Sequence, residues 1–193
     1  MTKVGNSVEG KSEEAALRRE PEMAGQANGD RREAAGKVVY TLGTSTRTME
    51  EFLGLLALRG IARICDVRSF PTSRRYPHFS REAFATSLKE AGYDYRWVGE
   101  SLGGYRKGGY EAHMRSREFE EGMEELERLA GEVPTAVVCA ELLPWRCHRR
   151  HIAAALQQRG WRVVHVIDAE REWVPRDRPE TVPLLEDGDA RDE

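Results

Sequence analysis

The sequence predicts an α/β domain in which strands and helices alternate around a mainly parallel sheet. Short runs with the β-branched, apolar composition of buried strands begin near residues 38, 61, 93, 135 and 161. Stretches with apolar residues at helical spacing separate them, and several of these stretches close on a glycine. Such alternation is typical of parallel sheets with right-handed crossovers. We therefore expect a single α/β domain over residues 37–168.

The two flanking segments have a different composition. Residues 1–36 contain no aromatic residue and hold 6 basic and 7 acidic side chains, whereas residues 169–193 are proline-rich and hold 4 basic and 9 acidic ones. Segments this poor in large apolar residues are expected to be disordered. A partner-binding helix within residues 1–36 is the alternative. The central part, with 20 basic and 17 acidic side chains, is mildly basic.

Composition also narrows the class of protein. No apolar run approaches the roughly 20 residues that a membrane span needs, and the first residues show no apolar secretory core. Three cysteines in 193 residues do not make a disulfide framework. We expect a cytoplasmic protein with reduced thiols and no membrane partner.

The first predicted strand, residues 38–42, leads into a hydroxyl-rich loop. Thr48 and Glu51 have the spacing of a capping box for a helix that ends near Arg59. The loop has too few glycines for a phosphate-binding fingerprint, but Ser45, Thr46 and Arg47 are candidates for holding an anion. Capping the helix is their alternative role.

The second strand, residues 61–67, is followed by a basic loop that contains interleaved aromatic residues. Guanidiniums suit phosphate and aromatic rings can stack on bases, so Arg68 and Arg74 are predicted to bind an anion. Asp66 is expected to orient an arginine or cap a backbone group. The alternative is a solvated loop whose aromatics fold back on the core. Cys65 lies inside the strand pattern and is predicted to be an inert core thiol.

The middle of the chain, residues 80–130, offers fewer candidates for catalytic or binding residues. A helix over residues 80–91 and a strand over 93–98 precede residues 99–110, which contain five glycines. This stretch is either a loop that closes over a ligand or a plain flexible connection. Residues 116–130 then form an amphipathic helix with an acidic, solvated face.

Residues 135–150 contain the highest concentration of chemically reactive and charged side chains in the sequence. Cys139 is predicted at the carboxyl end of a buried strand, and Pro144 separates that strand from a helix over residues 149–159. Cys147 and His148 are predicted on the first helical turn, where anions and thiolates are favoured. A last strand follows over residues 161–168.

Three interpretations of the cysteines remain open. A reactive thiol would use positive charge and helix N–H groups to favour the thiolate. A metal site would use Cys139, Cys147, His148 and Glu141, but seven residues separate the cysteines, and adjacent residues point apart on a helix. We therefore predict no metal. In a structural role, Cys139 would pack in the core and His148 would bridge strand ends. A reversible Cys139–Cys147 disulfide is a variant of the first interpretation.

Several of these motifs resemble one bacterial family. The matching residues are spread along the chain, at 43–47, 51–52, 66–71, 73–74, 79, 102–104, 114, 118–119, 139–141 and 144–149. Over about residues 38–167 the chain resembles the bacterial domain-of-unknown-function family numbered 488. The resemblance implies an α/β domain without an established activity, and the DNA-repair labels of some relatives imply a nucleic-acid connection.

The leading hypothesis is an enzyme-like site at the carboxyl edge of the sheet. Arg68, Arg74, Arg146 and Arg149 would bind a phosphorylated small molecule or a nucleic acid. Cys139 or Cys147 would supply the thiolate, with His148 as acid and base and Glu141 or Asp66 orienting the cations. A non-catalytic nucleic-acid-binding module and a thiol redox sensor are the alternatives. No cofactor is predicted.

Overall fold

A six-stranded sheet runs through residues 37–175, the part of the chain that the structure, a computed structural model, describes. The predicted segment 1–36 and residues 176–193 of the predicted tail lie outside the described residues. The strands are β1 Val38–Gly43, β2 Arg63–Asp66, β3 Asp94–Trp97, β4 Thr135–Cys139, β5 Arg162–Val166 and β6 Glu172–Trp173. The fold is α/β, as the sequence predicted.

Helices connect the strands. The α-helices are α1 Met49–Leu58, α2 Arg81–Glu90, α3 Gly99–Leu102, α4 Tyr110–His113, α5 Arg117–Glu132 and α6 Arg149–Gln158. Two 3₁₀ turns, Pro77–Phe79 and Pro144–Arg146, precede α2 and α6. The predicted capping box of α1 is confirmed, because the Thr48 hydroxyl accepts from the Glu51 N–H and the Glu51 carboxylate accepts from the Thr48 N–H.

The order of the strands determines where a ligand-binding crevice forms at the edge of the sheet. The order is β3-β2-β4-β1-β5-β6, and all pairs are parallel except β5 with β6. Strands β2 and β4 are neighbours: the connection after β2 leads to β3 on one side of this pair, whereas the connection after β4 leads towards β5 on the other side. Neighbouring strands whose connections diverge leave a crevice at their carboxyl ends, which is where open α/β sheets bind ligands.

Two hydrophobic cores cover the two faces of the sheet. On one face, side chains of α5 and α6 such as Met123 and Ile152 pack on Val137 of β4. On the other, Phe52 of α1 and the aromatic residues of α2 and its preceding turn pack on Val138. Residues alternate between the two cores along β4, which makes the centre of the sheet rigid and places Cys139 at its edge.

The structure departs from the sequence prediction at two places. The glycine-rich stretch 99–110 is not a plain loop, because α3 lies within it and α4 begins at its end. Residues 169–175 continue the fold beyond Asp168, with β6 paired to β5. None of the helices in residues 37–175 has the length and apolar character that a membrane span requires.

Candidate functional site

The loops that follow β1 and β4 run side by side at the crevice. Gly43 and Cys139 are partners in the strand register, and the N–H groups of Thr44 and Ser45 donate to the carbonyls of Cys139 and Ala140, each at 2.8 Å. A Cβ at Gly43 would collide with the backbone of Glu141. Only glycine lets these two segments of the backbone approach so closely. Their approach brings the loop of Thr44 and Ser45 next to Cys139.

Cys139, Cys147 and His148 form one cluster. His148 Nδ1 lies 3.8 Å from the Cys139 sulfur and 3.7 Å from the Cys147 sulfur. Cys147 has an extended backbone (φ −131°, ψ 147°), and His148 is the cap residue before α6. Both residues therefore precede the helix instead of lying on its first turn, and this is why their side chains converge.

The backbone that follows β2 orients the imidazole of His148. His148 Nε2 lies 3.1 Å from the carbonyl oxygen of Val67, directly after β2. A carbonyl accepts only, so Nε2 donates this hydrogen bond, and Nδ1 is the ring atom that faces the two sulfurs. On the other side, a Cβ at Gly104 would meet His148 Nδ1 at 2.5 Å, so the glycine allows the loop to close on the ring.

Arg149 is a buried cation beneath the cluster. Its side chain is 1% exposed and donates to the carbonyls of Glu141 and Leu142, at 2.5 and 2.7 Å. Within residues 37–175 no carboxylate forms an ion pair with it, and its Nε has no hydrogen-bond partner there. Burial lowers the pKa of Arg149, and the sulfurs of Cys147 and Cys139 oppose that shift, followed by the carboxylate of Glu141. The sulfur pair is thus one of the sources of negative charge that act on this guanidinium.

The two thiols share one acidic proton. A hydrogen bond with Cys139 lowers the pKa of Cys147 to about 7, against the effect of burial, and the guanidinium and N–H of Arg149 also lower it. The same hydrogen bond, together with burial, raises the pKa of Cys139. Interacting groups titrate as a pair, so the cluster holds one negative charge near neutral pH.

Cys65 behaves as the sequence predicted. It is fully buried in β2, and burial raises the pKa of its thiol to about 12. A neutral, inaccessible thiol of this kind is inert, which makes Cys65 an internal reference for the other two.

A cavity of about 470 Å³ opens above the cluster, with Cys139, His148 and Glu141 among its walls. Hydroxyl side chains dominate the remaining wall, at Thr44, Ser45, Thr46, Ser69, Thr72 and Ser73. Ser45 has a φ of +49°, an unusual value for a residue with a side chain, and such backbone conformations concentrate at functional sites. The cavity therefore combines hydroxyl groups with apolar surface such as Phe70 and Phe79, and Cys139 is one of its lining residues.

Arg68 reaches the cavity wall in a fixed orientation. Asp66 accepts from its Nε at 2.8 Å and from a terminal nitrogen at 2.6 Å, while the Phe79 carbonyl takes another N–H at 2.8 Å. Asp66 is fully buried and also accepts from the Tyr95 hydroxyl. The predicted pairing of Asp66 with an arginine is observed, and most of the guanidinium is engaged by the protein itself.

The other predicted anion-binding arginines do not meet in the cavity. Arg47 donates to the carbonyls of Gly43 and Ile167 and lines a neighbouring cleft of about 650 Å³. Arg74 and Arg146 are exposed and are not among the cavity-lining residues. The three arginines are carried by different loops, after β1, β2 and β4.

Two aromatic residues of the site were missed by the sequence analysis. The Tyr110 ring lies 5.2 Å from His148, its hydroxyl donates to the Leu102 carbonyl, and Tyr105 lines the cavity. Their stretch showed only glycines and cations, and no periodic pattern links it to the cysteines. The contacts depend on tertiary packing, so no local signal could have found them.

A metal is chemically compatible with the cluster. The sulfurs of Cys139 and Cys147 and His148 Nδ1 lie within 4.8 Å of one another. Two thiols and an imidazole are the donors that Zn²⁺ and other thiophilic metals prefer. The sequence argument that the adjacent residues Cys147 and His148 point apart is wrong, because Cys147 is not helical.

Comparison with known proteins identifies one family. The model of a family described as "Domain of unknown function DUF488" matches residues 48–156, which is more than half of the chain. The comparisons with curated proteins and with solved structures give no significant match.

Proposed function

Since this chain belongs to the DUF488 family of domains of unknown function, its chemistry has to be inferred from its own residues, and we propose that it is a thiol-dependent enzyme. Its substrate is a phosphorylated or nucleotide-like molecule held in the cavity above Cys139. The hydroxyl-rich wall and the fixed guanidinium of Arg68 support such a polar ligand.

One observation carries the proposal: Arg149 is a buried cation with no carboxylate partner in the described residues, and it lies against the sulfur pair. A buried charge is costly unless a counter-charge compensates it. The singly deprotonated pair of Cys139 and Cys147 supplies that counter-charge together with the more exposed carboxylate of Glu141. The fold therefore favours a thiolate, which is the nucleophilic form of cysteine.

The proposed reaction begins at Cys139, the sulfur that lines the cavity. Its proton moves to Cys147, and the thiolate attacks an electrophilic atom of the ligand. The sulfur–electrophile bond forms as the bond to the leaving group breaks, and the electron pair departs with that group. The proton on Cys147, relayed by His148 at 3.7 Å, neutralises the leaving group. Water then cleaves the sulfur–electrophile bond and returns a proton to the pair.

Charge balance favours this chemistry over a resident metal. The pair as a monoanion adds negative charge beside Arg149, whereas two thiolates with a divalent cation are neutral together and would leave only Glu141 to oppose the buried guanidinium. Titration with Co²⁺ checks the point, since cobalt bound to thiolates absorbs strongly. We expect no such absorption. A band that Cys139→Ser removes would instead indicate a metal centre.

Iodoacetamide labelling of each cysteine against pH, resolved by mass spectrometry, tests the proposal. We expect labelling of the pair with a midpoint near pH 7, a midpoint at or above the free-thiol value of about 8.5 for Cys139 in Cys147→Ser, and no labelling of native Cys65. Added phosphate or nucleotide should slow the reaction, and Cys65→Ser is the control. Equal inertness of all three cysteines would overturn the proposal.

A non-catalytic nucleic-acid-binding role is the second candidate. Exposed Arg74 and Arg75 lie in the same loop as exposed Phe70, which supports contact with phosphates and bases. This role predicts oligonucleotide affinity that falls steeply with salt and does not change when a cysteine is substituted.

A redox sensor would instead lose labelling of Cys139 and Cys147 together under mild oxidation. Free thiols of this kind suit a reducing compartment, and we propose the cytoplasm.

A further inference from the structure

Two large aromatic rings stand exposed at the rim of the cavity. Phe70 is 69% exposed and Tyr105 is 78% exposed, and their ring centroids lie 5.5 Å apart. Both residues line the same cavity as Cys139. They come from different loops, after β2 and after α3, so their meeting is a product of the tertiary fold. Exposed apolar surface that is contiguous with a cavity can mark the place where a ligand binds.

The pair is held in place from below. Ser69, next to Phe70, accepts a hydrogen bond at 2.9 Å from the backbone N–H of Tyr105. A Cβ at Gly103 would collide with Ser69, so the two loops are in close contact. The backbone segments that carry the two rings are therefore held together before a ligand binds, which lowers the cost of bringing the rings to one ligand.

Hydroxyl donors line the same cavity as the two rings and Cys139. Ser69 and Ser73 each accept a backbone N–H, at 2.9 Å, which leaves the O–H of each hydroxyl to donate. Thr44, Ser45 and Thr46 line the same wall. Such donors suit a group rich in acceptor oxygens, as a sugar phosphate is. A ligand that suits both groups of residues has a flat apolar end that packs on the exposed rings. Its other end is rich in oxygen atoms that accept from the hydroxyls.

We propose that the ligand is a mononucleotide whose base stacks on Phe70 and Tyr105 while its sugar phosphate faces the hydroxyl wall. This inference rests on the proposed function, since it names the substrate class of the same cavity. A cavity of about 470 Å³ lies in the range typical of small-molecule sites, roughly 300–1,000 Å³. Stacking of one base on aromatic side chains contributes roughly fivefold to 150-fold in affinity.

Calorimetric titration of the full chain with four nucleoside monophosphates, and with ribose 5-phosphate as the base-free analogue, tests the proposal. We expect at least one mononucleotide to bind about tenfold tighter than ribose 5-phosphate. The double variant Phe70→Ala/Tyr105→Ala should abolish that difference, and Phe70→Tyr should retain it. Leu58→Ala, which removes an exposed apolar side chain elsewhere, is the matched control.

The outcomes separate this inference from the thiol chemistry. Equal affinity for mononucleotides and ribose 5-phosphate, a difference that survives the double variant, or no mononucleotide binding would each overturn the aromatic platform. Iodoacetamide labelling of the wild-type protein reports on the sulfurs independently. Base-dependent binding with inert thiols would retain the ligand class and reject the proposed reaction.

Discussion

Arg149 is the cation that, after the hydrogen bond with Cys139, lowers the pKa of Cys147. The guanidinium is buried, it is held by two carbonyls and it has no carboxylate partner in the described residues. Its position follows from sequence, since it is the first residue of α6 and the cysteine lies two positions earlier. A side chain so constrained acts on the site through its charge and its fixed geometry together.

Replacing Arg149 by methionine should weaken the acidity of the pair. Without the cation the labelling midpoint of Cys147 should rise by about one pH unit or more. Arg149→Lys, which keeps the charge and loses the paired donors, should shift the midpoint less. Labelling against pH measures both, and exposed Arg150→Met is the control. An unchanged midpoint in Arg149→Met would remove the electrostatic basis of the site.

His165 gives the domain a predicted sensitivity to acid. It is 2% exposed, and burial, with a smaller contribution from Arg149, lowers its pKa to about 4. Because the unfolded chain binds this proton near pH 6.5, His165 stabilises the fold fully above that pH, and the stabilisation is lost as pH falls towards 4. Between pH 7.5 and 4.5 the loss should be about 2 kcal/mol.

Urea unfolding at those two pH values checks this prediction. His165→Gln removes the titration, so its free energy of unfolding should fall less than that of the wild type over the same interval. Carboxylates titrate in both proteins and cancel in the comparison. Parallel losses in the two proteins would show that His165 is not the group responsible.

At the scale of elements, the segment from α3 to α4 forms one wall of the site. Arg106 ties it down by donating to the Gly103 and Glu100 carbonyls and to the Glu118 carboxylate. Tyr110 and Gly104 then reach His148 from the side opposite Val67. The imidazole is thus held between two elements that are far apart in the sequence.

Gly104→Ala should disturb that arrangement. The added methyl group meets the His148 ring, so the free energy of unfolding should fall by about 1–3 kcal/mol and the labelling midpoint of the pair should shift. Gly54→Ala is the matched control. It lies in α1 with nothing within 4 Å of its Cβ position and should stabilise the protein by about 0.5–1 kcal/mol. Loss of stability in both variants would contradict the specific contact.

At the scale of the whole molecule, the boundary of the domain can be tested by truncation. A chain of residues 37–175 contains both cores and β6, and it should unfold cooperatively. A chain of residues 37–168 lacks Trp173, which stacks on His165 with ring centroids 4.9 Å apart. It should be less stable by about 1–3 kcal/mol in urea unfolding. Equal stability would mean that the sequence-predicted boundary at Asp168 is sufficient.

The sequence predicts the parts of this molecule that depend on local pattern. The alternation of strands and helices, the Thr48–Glu51 capping box and the position of Cys139 at a strand end are all readable from spacing. The partners of Arg149 are not, because a guanidinium suits a ligand phosphate and a protein carbonyl equally well. Which one it meets is decided by how the segment between β4 and α6 folds back on the first turn of that helix.

The bond between His148 and Val67 also has a kinetic consequence, because it joins residues 81 positions apart in the chain. Closing such a distance is slow compared with forming a helix, since loop entropy is lost before the contact forms. In the denatured chain all three thiols have ordinary reactivity, and only the assembled sheet makes two of them unlike the third. Pulse labelling during refolding should therefore show Cys65 protected when β2 pairs with its neighbours. The low pKa of the Cys139–Cys147 pair should appear only after the carboxyl ends of β1, β2 and β4 have come together.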